Sequence, residues 1–148
     1  MPLKINQIAP AWRLLDQNGT EHKLSDYAGA WLLIYFYPRD NTPGCTVEAC
    51  SFRDNFSALQ KLGLAIVGVS VNSVTSHGKF VEQYKLPFTL LSDSEKVMSE
   101  AYGVMGLTSA RRVSFLIDKN GKIAKIYDPV SPPTHVAEVM ADLKQLIK

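Results

Sequence analysis

A layered α/β fold is what this sequence predicts: a central mixed β-sheet flanked by helices, with an N-terminal β-hairpin extension. Three observations carry that expectation. Apolar, β-rich runs at 31–36 and 64–71 each give way to a segment with apolar residues at three- to four-residue spacing, the alternation that builds parallel strands joined by helices. Two Asn-Gly pairs, Asn18-Gly19 and Asn120-Gly121, sit between strand-like runs and mark tight hairpins. No stretch is repeated, low in complexity or composed like a linker, so residues 1–148 read as one domain.

Residues 1 to 10 form an extended lead-in that ends at Pro10. Trp12 to Asp16 and Glu21 to Leu24 are the arms of the first hairpin, and Ser25 to Gly29 is a single turn. Trp31 to Phe36 is dense in β-formers and short enough for a buried strand. Behind it Val47, Cys50, Phe52, Phe56 and Leu59 lie at helical spacing, in one helix that Gly63 terminates. Leu64 to Val71 alternates little, as a strand buried on both faces should. Ser73 or Thr75 caps a helix through Phe80, Val81 and Tyr84, and Pro87 ends it.

Phe88 to Leu91 is a short strand. Ser92 with Glu95 forms a capping box for a helix that runs to about Tyr102, and residues 104 to 111 read as a loop. Val113 to Asp118 and Lys122 to Tyr127 make the second hairpin. Val136, Val139, Met140, Leu143 and Ile147 then mark a C-terminal helix, its start signalled by Ser131 and the two prolines after it. With early strands parallel and the late hairpin antiparallel, the order matches the thioredoxin fold.

Composition narrows the function. The chain is 46% hydrophobic with a net charge of +2, and no lysine/arginine block exceeds two residues. That balance gives no reason to expect nucleic acid or a membrane surface as partner. No apolar run reaches the length of a membrane span and residues 1 to 15 lack a signal-peptide pattern, so a soluble, cytoplasmic protein is expected. Two cysteines in such a compartment point to catalytic, redox or metal chemistry before a structural bridge. Zinc is disfavoured because there is no C-x-x-C and His22, His77 and His135 are scattered singly; His77 reads as structural, and no metal or cofactor is expected.

Both cysteines fall in residues 37 to 50, YPRDNTPGCTVEAC, where a strand passes into a helix. Thr42 suits the N-cap and Pro43 the first helical position, which places Cys45 in the first turn. There the unpaired N–H groups and the positive end of the helix dipole favour thiolate, with Arg39 near enough in sequence to assist. Cys50 lies five positions on. On a regular helix that is about 140° of rotation and about 7.5 Å of rise, so the Cα atoms stand about 8.6 Å apart. A disulfide needs about 7 Å or less. The pair can bond only if the helix start unwinds, which suits a redox switch and disfavours a thioredoxin-type reductase.

Pro38, Thr42 and Cys45, in the spacing P-x-x-x-T-x-x-C, resemble the signature of the peroxiredoxins, and NTPGCTVEAC is similar to the subgroup known as bacterioferritin comigratory protein or peroxiredoxin Q. GVSVNSVTSHGKF, LPFTLLSD, EAYGV and RVSFLIDKNGKI extend the likeness over nearly the whole chain in the same order. The sequence departs from that pattern between Val104 and Arg112, where family members often carry a longer loop and a tryptophan in place of Met105.

The resemblance implies a thioredoxin-like peroxidase acting on hydrogen peroxide and organic hydroperoxides. Cys45 would be the peroxidatic cysteine, Thr42 and Arg112 would activate the peroxide, Pro38 would shield the site, and Cys50 would resolve the sulfenic acid. Thioredoxin or glutaredoxin would reduce the resulting disulfide, and a monomer or weak dimer is expected. The chemistry fits the residue types, because the departing oxygen gains negative charge and an arginine presents fixed donors to it. Strand alternation puts Arg112, Ser114 and Leu116 on one face and Arg111, Val113, Phe115 and Ile117 on the other, without saying which face carries the cysteine. Phe115 and Ile117 are expected in the main core. Glu48, one helical turn after Cys45, is placed to orient an arginine. A second reading of another class is a redox-switched binding module, in which oxidation melts the cysteine helix and alters a partner surface.

Overall fold

The computed structural model describes residues 3–147. The N-terminal hairpin pairs β1 (Arg13–Asp16) with β2 (Glu21–Lys23), and Gly19 takes φ +78° at its turn. Asp16 ties that turn through Oδ1, which accepts from the backbone N–H groups of Asn18 and Thr20 at 2.8 and 3.0 Å. A 3-10 turn at Leu24–Tyr27 leads into β3 (Trp31–Phe36). Then follow α1 (Pro43–Asp54), α2 (Phe56–Lys61), β4 (Leu64–Ser70), α3 (Val74–Tyr84) and β5 (Thr89–Ser92). The chain ends through α4 (Val97–Ala101), β6 (Val113–Ile117), β7 (Ile123–Tyr127) and α5 (His135–Leu146).

The strands form one sheet in the order β2-β1-β5-β4-β3-β6-β7. β3, β4 and β5 are parallel, as strand-helix-strand units require, while β6 and β7 are antiparallel and the N-terminal hairpin extends the β5 edge. β3 is therefore an interior strand between β4 and β6, and its alternation divides the interior into two cores. Leu33 and Tyr35 point to one face with Cys45, Ala49, Phe52, Phe80, Leu116, Val136 and Leu143. Leu32, Ile34 and Phe36 point to the other with Met98, Tyr102, Val113, Phe115 and Ile117. Phe115 and Ile117 thus lie in a full core of their own, and Arg112, with Leu116, lies on the cysteine face.

Several local expectations are corrected. The single helix expected up to Gly63 is two, broken at Asn55, which leaves helical geometry at φ −109° while its backbone N–H and its side-chain amide both donate to the Ser51 carbonyl, at 3.2 and 2.8 Å. Gly63 does end the second piece at φ +84°. Ser92 caps nothing. It lies in β5 and its hydroxyl donates to the Asn72 carbonyl, while Asp93 takes the capping role, accepting from the Met98 and Ser99 N–H groups at 3.2 and 2.7 Å. A carboxylate one residue on reaches the helix that Ser92 cannot, and α4 starts only after Lys96, shorter than expected. Ser73 caps α3 as expected, accepting from the Ser76 N–H. At the last helix Thr134 holds the N-cap position and Ser131 contributes its carbonyl rather than its side chain.

Tyr35 fixes one further constraint. Its ring stacks on Phe52 at 4.9 Å and lies over Gly68, where a Cβ would meet the ring at 2.7 Å and Leu90 at 2.8 Å. Gly68 is therefore glycine for space. Gly68→Ala is expected to cost about 1–3 kcal/mol in urea unfolding, because the ring and Leu90 must both shift.

Candidate active site

β3 delivers the chain to the edge of the cysteine face, and the connection from residue 37 to 42 sets the helix that follows. Tyr37 remains buried and bonds back to the Val69 carbonyl, Pro38 is half-buried, and Arg39 turns out to solvent. Asn41 adopts φ +63°, a left-handed conformation that asparagine tolerates. Thr42 then sits extended at the N-cap and Pro43 starts α1, as the sequence implied. The Thr42 side chain makes no cap bond, however. Its hydroxyl donates to the Arg39 carbonyl at 3.3 Å. The backbone N–H groups of Gly44 and Cys45 have no acceptor among the described residues, so the first turn presents free donors around the sulfur.

Cys45 is 1% exposed and its Sγ accepts from Arg112 Nη2 at 3.2 Å. The same guanidinium donates through Nη1 to Glu48 Oε1 at 2.7 Å. Arg112 thus spans from the start of β6 to α1 and touches both the sulfur and a carboxylate one turn away. Gly44 permits the approach, since a Cβ there would stand 3.0 Å from Nη2. The guanidinium presents a fixed positive charge to the sulfur. Arg39, the other cation near in sequence, is exposed and takes no part. Arg111 points away, pairing with Asp128 at 3.1 Å.

Glu48 is fully buried and its second oxygen, Oε2, has no hydrogen-bond partner among the described residues. Burial pushes its carboxyl up to about 7, against the pull of the Arg112 guanidinium. Cys50 is half-buried, further along the same unbroken helix, and both cysteines are free thiols. The structure therefore brings together Cys45, Arg112 and Glu48, keeps Thr42 and Pro38 on the loop that leads into them, and leaves Cys50 apart.

Comparison with known proteins meets this geometry. Residues 5–126 match the model of the AhpC/TSA family. The chain belongs to that family. It is 43% identical to peroxiredoxin Bcp of Bacillus subtilis, covering 99% of this chain and 98% of the relative, and 41% identical to peroxiredoxin Bcp of Escherichia coli K12, with 97% of each covered. Among solved structures, a cysteine-to-serine mutant of PrxQ from Xylella fastidiosa superposes with a TM-score of 0.95 at 30% identity over 100% of this chain and 99% of that one. Bacterioferritin comigratory protein of Xanthomonas campestris, described for its alkyl peroxide reduction activity, gives 0.89 at 33% identity over 93% and 92%. The protein is a peroxiredoxin of the Bcp and PrxQ type, a thiol-dependent peroxidase with the thioredoxin-like fold.

A cavity of about 910 Å³ in this peroxiredoxin lies under the other face of the sheet among Trp12, Leu32 and Ile117 and includes none of the cysteine-site residues. No described helix is long and apolar enough to cross a membrane. Sequence reasoning did not single out Asp40, and it set His77 aside as structural. The structure joins them at 2.7 Å beneath the loop that carries Pro38 and Thr42. Their only sequence signal is position: Asp40 stands inside the cysteine segment, and His77 on the first turns of the helix beside it.

Glu48 makes the site's pH response testable. Because its folded value, about 7, stands above the ordinary 4.5, its contribution to stability is fully present below about 4.5 and lost as pH rises through 7. Glu48→Gln lacks that component. Urea unfolding at pH 5 and pH 8 is expected to show wild type losing stability relative to the variant at the higher pH; an unchanged difference between the two would exclude the assignment.

Proposed function

We propose that Cys45 is the peroxidatic residue of this enzyme and Cys50 its resolving partner, with hydrogen peroxide and organic hydroperoxides as substrates. The Cys45 thiolate attacks the terminal peroxide oxygen, the O–O bond breaks, and the leaving oxygen departs with the electron pair and takes up a proton as water or alcohol. Cys45 is left as a sulfenic acid. The Cys50 thiol then attacks that sulfur, water leaves, and a disulfide forms. A dithiol donor of the thioredoxin or glutaredoxin class returns both cysteines to thiols at the expense of its own oxidation.

The observation that carries this reading is the Arg112 guanidinium on both Cys45 Sγ and the Glu48 carboxylate. Fixed by Glu48, it holds the thiolate before reaction and stays in place as negative charge moves to the departing oxygen. The free N–H groups of the first turn add donors, and the Thr42 hydroxyl, held by the Arg39 carbonyl at a long 3.3 Å, is a further donor for a bound oxygen. Pro38, half-buried ahead of it, limits water at the sulfur. For resolution, α1 must unwind, since roughly 8.6 Å between Cα atoms on an intact helix exceeds disulfide reach. We further propose that the protein works in the cytoplasm, as a monomer or weak dimer.

Peroxide consumption coupled to thioredoxin and its reductase tests the assignment. Cys45→Ser is expected to abolish turnover, and Cys50→Ser to permit one oxidation per protein and then stall. Arg112→Lys keeps charge but loses the two-pronged contact, and is expected to lower the rate of Cys45 oxidation by about a hundredfold. Full activity in Cys45→Ser would overturn the reading.

A further inference from the structure

We propose that Asp40 and His77 are positioning residues for the peroxide step: a buried, proton-sharing pair that fixes the loop from which Pro38 and Thr42 reach Cys45. The inference rests on Cys45 being the attacking thiol. Neither residue touches the sulfur, and neither is used in the chemistry above.

The Asp40 side chain is 4% exposed and that of His77 is fully buried. Asp40 is held from three directions. Its Oδ1 accepts from the Tyr37 hydroxyl at 2.6 Å, its Oδ2 accepts from Ser76 Oγ at 2.8 Å and faces His77 Nδ1 at 2.7 Å, and its backbone N–H donates to Asn72 Oδ1 at 2.9 Å. The anchors thus come from the end of β3, from α3, and from the connection between β4 and α3. One residue on, Asn41 takes its left-handed conformation and accepts from the Tyr84 hydroxyl at 3.2 Å. Thr42 and the helix N-terminus follow directly.

Hydrogen-bond accounting fixes the proton. His77 Nε2 lies 2.9 Å from the Leu91 carbonyl oxygen, which can only accept, so Nε2 carries hydrogen. Nδ1 faces a carboxylate oxygen, so a second proton must lie between them: the pair is imidazolium with carboxylate, or imidazole with carboxylic acid. Either way it is neutral overall and sits in a buried site that would strongly disfavour either partner alone with a charge. That makes the loop anchor stiff. It differs in kind from α1, which must unwind, and it leaves Thr42 at a fixed point while the turns beyond it open and close.

The pattern of donors specifies which substitution preserves the anchor. In Asp40→Asn the amide has two hydrogens, one for neutral His77 Nδ1 and one for Ser76 Oγ, and its oxygen still accepts from Tyr37. Asp40→Ala and His77→Ala have no such replacement. The second-order rate of Cys45 oxidation by hydrogen peroxide, measured by competition with a heme peroxidase, is expected to fall about tenfold or more in both alanine variants and to stay within about threefold of wild type in Asp40→Asn. Carbamidomethylation of Cys45 by iodoacetamide, followed peptide by peptide, needs no oxygen positioning and is expected not to slow. Peroxide rates within about twofold of wild type in the alanine variants, a loss that Asp40→Asn fails to rescue, or peroxide and iodoacetamide rates falling in step would each overturn the proposal. Should the alanine variants not fold, Ser76→Ala removes one anchor bond alone; a peroxide rate about threefold lower is expected, and an unchanged rate counts against the anchor. A wild-type protein inert to peroxide would instead remove the reading of Cys45 itself.

Discussion

The guanidinium of Arg112 is the contact on which the rest of the site depends. It joins the residue just before β6 to the first turns of α1, donating to a sulfur at 3.2 Å and to a carboxylate at 2.7 Å. A carboxylate buried as completely as Glu48 is costly unless paired. Arg112 offsets that cost only while α1 is wound, because winding is what stacks Glu48 one turn beyond Cys45. Site geometry and helix formation are thus one equilibrium. On the proposed chemistry, a Cys45 sulfur that has taken up oxygen is no longer the anion this cation would hold, so the tie that keeps the helix wound weakens at the step where unwinding is needed.

The helix is built to respond. Its N-cap threonine makes no side-chain cap bond, so the end that holds Cys45 lacks a side-chain cap, whereas Asn55 closes the far end by bonding back to the Ser51 carbonyl. What secures α1 is tertiary: Ala49 and Phe52 pack into the core on one face of the sheet, and Arg53 Nη1 donates to the Tyr84 carbonyl at 2.8 Å near its end. Around it the frame is rigid. β3 lies between β4 and β6 with buried side chains on both faces, and the loop before α1 is pinned at Asp40.

Much of this was legible in the sequence, and the reasons differ by element. The β3 span, both hairpins and the Thr42-Pro43 helix start could be read because a short run dense in β-formers, Asn-Gly turns and a proline at the first helical position are local signals. The break at Asn55 was not, since asparagine at helical spacing gives no notice that its side chain will take a backbone acceptor. Ser92 and Glu95 had capping-box spacing, yet β5 drew Ser92 into the sheet and left Asp93 to cap. Alternation separated Arg112 from Arg111 but not which face held the sulfur, because both faces proved to be core. The Asp40 and His77 pair joins residues far apart in the chain and left no local trace.

Amide hydrogen exchange across residues 43–54, compared between reduced and peroxide-oxidised protein, is the most direct measurement of the central claim that winding of α1 and linkage of its two cysteines exclude one another. Protected amides in the reduced protein and a loss of that protection once the Cys45–Cys50 disulfide has formed are expected, with β3 and β4 protected in both. Equal protection of α1 in the two states, with the disulfide demonstrably present, would contradict it.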